Sequence, residues 1–305
     1  MHKVLVFLIS LFFALPIIAD NVKSNSPISI LRVQAEQGDP KAICDLALCY
    51  MEGRGIQKNE HKAVELYRKA ANQGYGYGQF CLGWCYYYGE GVDKDYQEAV
   101  NWFKKAADHW LVYAYSFLGL CYYKGEGVKQ DYAEAVTWFR KAARNDIAKD
   151  QYNLGYCYGK GLGVEQDYAE AVLWFEKAAE QGYTPAQCSL GDCYQNGKGV
   201  EKDIVRAIEW YRKAANQGDA IGQCRLGMCY YYGYGLRVSC FTALSWFKKS
   251  AKQGCKEAQY YLGFFYENAI GMFFKNKKKA IEWYRKSAEQ GDELAIERLK
   301  AFGLM

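Results

Sequence analysis

Between Asp167 and Gly182, apolar side chains fall at Ala171, Trp174, Phe175, Ala178 and Ala179, with charged residues between them. The i, i+3, i+4, i+7, i+8 spacing is the stripe of an amphipathic helix. Before it, the run Tyr152 to Tyr158 followed by Gly161-Leu162-Gly163-Val164 predicts an earlier helix and a tight turn. One such hairpin cannot cover its own stripe, and the chain supplies the cover by repetition. Leu-Gly-x-Cys-Tyr begins at Leu82, Leu118, Leu154, Leu190 and Leu226, every 36 residues, with variants at Leu46 and Leu262. A closing Gln-Gly ends at Gly38, Gly74, Gly182, Gly218 and Gly254, and one residue late at Gly291. A fixed period of this length marks stacked units that bury their faces against each other.

Ala-x-x-x-Leu-Gly-x-x-Tyr, Gly-x-Gly-Val, Asp-Tyr-x-x-Ala and Trp-Phe-x-Lys-Ala-Ala-x-Gln-Gly together resemble the Sel-1-like repeat, a helix-turn-helix relative of the tetratricopeptide repeat. The resemblance covers about residues 39 to 302. It implies an all-α, right-handed α-solenoid with terminal capping helices. The expected boundaries are a leader and capping half-repeat over 20–38, seven repeats over 39–291 and a carboxyl-terminal cap helix over 292–305.

Each turn has a local cause. Gly53, Gly89, Gly125, Gly161, Gly197 and Gly233 stand where a helix A end wants a left-handed residue. Asp95 with Glu98, Asp131 with Glu134, and Asp167 with Glu170 form capping-box pairs at the starts of helix B. Gly-x-Gly is turn chemistry here, since a phosphate loop requires a preceding strand. Three junctions depart from the pattern: His109-Trp110, Asn145-Asp146, and Ala269-Ile270-Gly271 in a repeat with one extra residue. Trp110 fits either a packing residue or an exposed binding residue.

Composition narrows the class. A hydrophobic content of 50% and an aromatic content of 17% exclude disorder. Lys and Arg number 39 against 34 Asp and Glu, and the two signs alternate, so no nucleic-acid groove is expected. Lys275-Asn276-Lys277-Lys278-Lys279 is the one basic cluster, read as a solvated helix start or an anion site. At the amino terminus, Lys3, an apolar run from Val4 to Ile18 and then Ala19 predict a signal peptide over 1–19, against an uncleaved interfacial anchor. The run is too short to span a bilayer. The chain is thus expected to be exported, periplasmic or secreted if bacterial, with no integral membrane segment after cleavage.

Twelve cysteines in an exported chain suggest disulfides. Their spacing opposes this: Cys49, Cys85, Cys121, Cys157, Cys193 and Cys229 share one repeat position and should stack about 10 Å apart, beyond the roughly 7 Å Cα reach of a disulfide. They read as small core residues, with a bridge through Cys240 or Cys255 left open. The cysteine-rich secreted branch of the family carries a staple at the end of helix B, where this chain has Ala71, Ala107, Ala143, Ala179 and Ala215. With three His and no Cys-x-x-Cys, neither metal nor cofactor is expected.

On a helical wheel, the outer face of helix A carries Phe80, Trp84, Tyr87 and Tyr88, then Tyr123, Tyr152, Tyr156, Met228, Tyr231, Tyr260 and Phe264. Such residues are enriched at protein interfaces. In a helical solenoid the A helices line the concave surface, so these residues are read as an aromatic concave groove for a protein or peptide partner; the competing reading is packing between neighbouring helices. The series Gln79, Gln151, Gln187, Gln223 and Gln259 is a candidate source of hydrogen bonds to that partner. The resemblance also implies an alternative, because some secreted relatives bind or slowly hydrolyse β-lactams. Ser245-Trp246-Phe247-Lys248 matches Ser-x-x-Lys, yet the motif's companion sequences are missing and position 245 varies between repeats. No catalytic residue is assigned.

Overall fold

The structure is a computed structural model that describes residues 28–304. The expected signal peptide and leader lie outside the described residues. Sixteen helices, and no strands, make up the regular structure among the described residues. The A helices are Pro40–Glu52, Gly76–Tyr88, Val112–Lys124, Ala148–Lys160, Thr184–Asn196, Ala220–Tyr232 and Lys256–Asn268. The B helices are Glu60–Asn72, Tyr96–Asp108, Tyr132–Ala143, Tyr168–Glu180, Ile204–Asn216, Cys240–Lys252 and Lys277–Ala288. Ile28–Glu36 and Glu293–Ala301 stand at the two ends. Two compact units are distinguished, one up to Trp138 and one from Phe139 onward.

The same repeat positions build the core of each unit. In the first, Leu82, Phe103 and Leu118 are fully enclosed; in the second, Leu190, Tyr211 and Leu226 are. The glycine of Leu-Gly has a packing cause. A Cβ on Gly191 would sit 2.5 Å from the Tyr211 ring, so the helix B aromatic lies flat on helix A only where that side chain is missing.

Helix ends follow the sequence signals. The six predicted turn glycines all adopt φ between 68° and 76° at the C-caps of helix A. In the seventh repeat Ala269 takes the same conformation, φ 56°. At the starts of helix B, Asp95, Asp131 and Asp167 each accept the backbone N–H of the glutamate three residues on, at 3.0, 3.1 and 3.0 Å. The reciprocal half of the expected capping boxes is absent for a definite reason. The backbone N–H groups of Asp95, Asp131 and Asp167 already donate to the carbonyls of Tyr86, Tyr122 and Tyr158, which pins each turn to its helix A.

All twelve cysteines are free thiols. Burial pushes Cys81 and Cys121 up to about 12, and Cys157, Cys193 and Cys229 up to about 11. They are inert core groups at neutral pH. Cys255 is the exception. It stands at the N-cap of Lys256–Asn268, where the Cys224 thiol and the Ala258 N–H stabilise its thiolate and bring it down to about 7.

Candidate protein-interaction face

The outer face of helix A resolves into rows with different environments. In the first unit, Phe80 and Tyr87 are buried, 8% and 6% exposed, whereas Trp84, Tyr88 and Tyr123 are half-buried. Phe80 packs on Phe103 and Phe117 with ring centroids 5.8 and 5.7 Å apart. Tyr87 meets Tyr96 and Phe117 at 5.1 and 5.4 Å, and its hydroxyl donates to Glu126. Trp84 and Tyr88 lie 5.0 Å apart at the margin of this cluster. Tyr123 sits apart from them, against Tyr132 at 5.3 Å.

In the second unit, Tyr152, Tyr156, Met228, Tyr231, Tyr260 and Phe264 are all half-buried. Tyr152 and Tyr156 pair at 6.3 Å, and Tyr260 stacks on Phe264 at 6.4 Å. Tyr231 packs on Phe265 at 5.1 Å.

One row is uniform in exposure. Leu48, Trp84 and Leu120 in the first unit, and Tyr156, Asp192, Met228 and Phe264 in the second, are half-buried throughout. Its chemistry nevertheless changes from aliphatic to aromatic to acidic. A position that keeps its exposure while varying its side chain is free of the packing that fixes its neighbours.

The glutamine series does something other than expected. Gln79, Gln151, Gln187, Gln223 and Gln259 are buried. Their amides donate to the carbonyls of Ala71, Ala143, Ala179, Ala215 and Ala251, at 3.1 to 3.4 Å, which satisfies the orphan carbonyls at the end of the preceding helix B. Four of their carbonyl oxygens then accept from Gln181, Gln217, Gln253 and Gln290, the glutamines that close each helix B. This is a ladder inside the stack, and a partner has no access to it. Where His109 replaces the closing glutamine, the ladder fails: the Gln79 Oε1 is buried without a partner. Trp110 beside it is 84% exposed at φ 60°, so the packing reading of this residue does not hold.

A polar site appears in the second unit that the wheel did not reveal. Asp192, Gln195, Asn196, Arg225, Met228 and Tyr234 line a pocket of 160 Å³. The Asp192 carboxylate accepts from the Tyr211 hydroxyl at 2.7 Å and the Arg225 Nε at 3.0 Å. Burial opposes the Arg225 charge, but the carboxylate outweighs it and holds the guanidinium above its ordinary range. Burial, then Asp192, raises the Tyr211 hydroxyl likewise. The arrangement recurs at the end of the chain, where Glu267 accepts from Tyr284 at 2.7 Å and from Arg298. The signal was present in the sequence: Tyr211 and Tyr284 stand where Phe103 and Phe247 stand in other repeats, and each is followed fourteen residues later by arginine.

Ser245 lies exposed within Cys240–Lys252, and Lys248 one turn on is exposed too. Neither is brought to a pocket or a base among the described residues.

Comparison with known proteins follows the same geometry. The Sel1 repeat profile matches residues 40–75, 76–109, 112–147, 148–183, 184–219, 220–255 and 256–292. The crystal structure of c5321, a protective antigen present in uropathogenic Escherichia coli strains and displaying an SLR fold, is 42% identical with a TM-score of 0.79. That similarity covers 88% of this chain but only 57% of c5321, so the chain spans little more than half of its relative's length. A Sel1 repeat protein from Oxalobacter formigenes is 33% identical with a TM-score of 0.74, over 90% of this chain and 79% of its own. No curated protein matches the sequence.

Proposed function

The chain belongs to the Sel1 repeat family, whose repeats mediate protein–protein interaction and whose scaffolds are generally non-enzymatic, and on that premise we propose that it is an exported scaffold holding a protein or peptide partner along the outer face of its A helices. The observation that carries this reading is the half-buried row of Leu48, Trp84 and Leu120 in one unit and Tyr156, Asp192, Met228 and Phe264 in the other. Large aromatic and Met side chains there offer contact area that the stack itself leaves partly uncovered. The Asp192–Arg225 pair beside Met228 adds a polar determinant for orientation. Phe80 and Tyr87 serve as the packed floor beneath Trp84 and Tyr88. Export rests on Lys3, the apolar run from Val4 to Ile18 and Ala19.

Site-specific photo-crosslinking in the native cell tests the proposal. A benzoylphenylalanine placed singly at Trp84, Tyr156 or Phe264 is expected to trap one and the same partner. The same probe at Leu173 or Glu209, exposed on helix B, is expected to trap nothing. Equal capture from both faces, or capture only from helix B, overturns the assignment of the binding face.

A further inference from the structure

The turn of the seventh repeat breaks its own template in two ways, and both expose chemistry to solvent. Counted from the left-handed C-cap of helix A, the fourth and fifth residues are Gln57-Lys58, Asp93-Lys94, Lys129-Gln130, Glu165-Gln166 and Glu201-Lys202 in the first five repeats, all polar, and Arg237-Val238 in the sixth. In the seventh they are Phe273-Phe274, 97% and 84% exposed. The polar residue has work elsewhere: Gln130 and Gln166 each donate to a helix A carbonyl, of Tyr123 and Gly159, at 2.8 Å. Phe274 has no such donor, so the ring is gained where a helix-end hydrogen bond is lost.

The second departure is electrostatic. Glu60, Glu98, Glu134 and Glu170 sit in the first turn of the first four B helices, where the macrodipole favours an anion, and the next two carry no charge of that sign there. Lys277–Ala288 instead opens on Lys277, Lys278 and Lys279, with Lys275 just before its Asn276 cap. All four lysines are exposed, and among the described residues none forms a salt bridge. Lys277 and Lys279 lie over the Phe302 and Tyr266 rings, 4.8 and 5.4 Å from the centroids, which positions their charge around the base of the turn. The turn itself rests on the start of Cys240–Lys252: a Cβ on Gly271 would meet the Cys240 carbonyl oxygen at 3.1 Å and the Phe241 nitrogen at 3.4 Å. Phe241 there is a third ring, 77% exposed.

We propose that Phe273, Phe274 and Phe241, with the lysines at 275 and 277–279, form a peripheral docking tip for an anionic lipid bilayer. Rings at a protruding turn with cations at its base match the layering of a membrane surface, acyl chains beneath anionic headgroups. The bilayer accepts three unattached rings without a complementary pocket, and uncompensated ammonium groups find their counter-charge in the headgroup phosphates. Both template departures run against local stability, and both are explained by the one surface. No helix among the described residues is long and apolar enough to cross a membrane, so the contact is at the interface.

Vesicle co-sedimentation tests the proposal, using the chain from Asp20 onward, which retains every described residue, once its helical circular dichroism matches that of the full chain. Parent protein is expected to bind phosphatidylcholine vesicles containing about one-third phosphatidylglycerol and to leave pure phosphatidylcholine in solution. Phe273→Ser with Phe274→Ser should weaken binding at least ~10-fold at an unchanged melting temperature, because both rings are exposed. Lys277→Gln, Lys278→Gln and Lys279→Gln together should weaken it roughly 100-fold at low salt, about fivefold per charge. Equal partitioning of parent and variants, or no binding of the parent to the anionic vesicles, overturns the proposal. A concentration-dependent dimer that the phenylalanine variant abolishes, without vesicle binding by the parent, overturns it in favour of a second copy as the occupant.

Discussion

Phe103 and Phe117 in repeats two and three hold the positions that Tyr211 and Arg225 hold in repeats five and six, and Trp84 holds that of Asp192. The same helical frame therefore closes in two ways. In the first region, Phe103 and Phe117 pack at 5.0 Å beside Phe80, and the seam is aromatic. In the second, Asp192 joins Tyr211 to Arg225, and a 160 Å³ pocket remains open beside them. The lesson is that the repeat prescribes where side chains meet and leaves open how: by dispersion and apolar burial in one place, by charge-assisted hydrogen bonds in the other.

The largest effect expected from breaking this contrast is at Phe103, which is fully enclosed. Phe103→Ala removes a ring touching Phe80, Tyr87 and Phe117, and should lower stability by about 4 kcal/mol, read from the shift in urea midpoint. A loss below about 1 kcal/mol would mean that the aromatic seam is locally adaptable rather than close-packed. The companion experiment transplants the other solution: Trp84→Asp, Phe103→Tyr and Phe117→Arg together should be less destabilising than the sum of the three single changes, because only the triple variant reassembles the triad.

Next in size is Asp192→Ala. It leaves the Arg225 guanidinium without its carboxylate, while Tyr211 keeps a second acceptor in Gln195 at 3.0 Å. Since both side chains of the ion pair retain some solvent, 27% and 41% exposed, the expected loss is about 2 kcal/mol, below that of a fully buried pair. Asp192→Asn keeps an acceptor and should lose about half as much. If Asp192→Ala were neutral in urea unfolding, the charged seam would be a surface ornament and the contrast with Phe103 would reduce to one of burial.

How much of this was legible beforehand follows from the kind of interaction involved. Helix positions, the turn glycines and the N-cap aspartates were legible because each depends on residues within one turn of each other. So was the inertness of cysteines such as Cys121 and Cys157, from repeat spacing alone. The wheel placed Phe80 and Tyr87 on the same face as Trp84, yet could not separate them. Whether a residue on that face is floor or surface depends on neighbours such as Phe103 and Phe117, across a helix–helix contact. The glutamine ladder was misread for the same reason: Gln187 meets the Ala179 carbonyl and the Gln217 amide, and a regular 36-residue spacing suits an internal ladder as well as an external one. Departures from the repeat marked the unusual surface better than the repeat itself did: Phe274 stands where Gln130 and Gln166 donate to a helix end, Lys279 where Glu98, Glu134 and Glu170 open a helix, and Trp110 where Gly182 and Gly218 turn the chain.

The junction after helix Tyr96–Asp108 extends the comparison to the ladder. In repeats five and six Gln217 and Gln253 complete it, whereas His109 leaves the Gln79 Oε1 buried without a donor. His109→Gln supplies the same side chain thirty residues on, the spacing that works from Gln187 to Gln217. Stability should rise by about 1 kcal/mol, with Gln79→Ala removing the gain. No rise in the urea midpoint would show that the junction backbone, and not the missing amide, sets the difference between the two regions.

The smallest expected effect is at Trp110, and it separates fold from function most cleanly. The equivalent residues Gly182 and Gly218 adopt φ 85° and 90° without a side chain to strain, whereas Trp110 holds φ 60° with its ring 84% exposed. A left-handed conformation is unfavourable for a residue with a Cβ, and part of that penalty is offset because glycine loses more chain entropy on folding. Trp110→Gly should therefore stabilise by about 0.5 kcal/mol, a rise of a degree or two in melting temperature. A gain of that size would establish that the indole is retained against the fold's own preference, which is the mark of a contact made with something outside the chain. A loss would show that the chain entropy of glycine outweighs the strain at this position, and would restrict the interaction surface to the half-buried row on helix A.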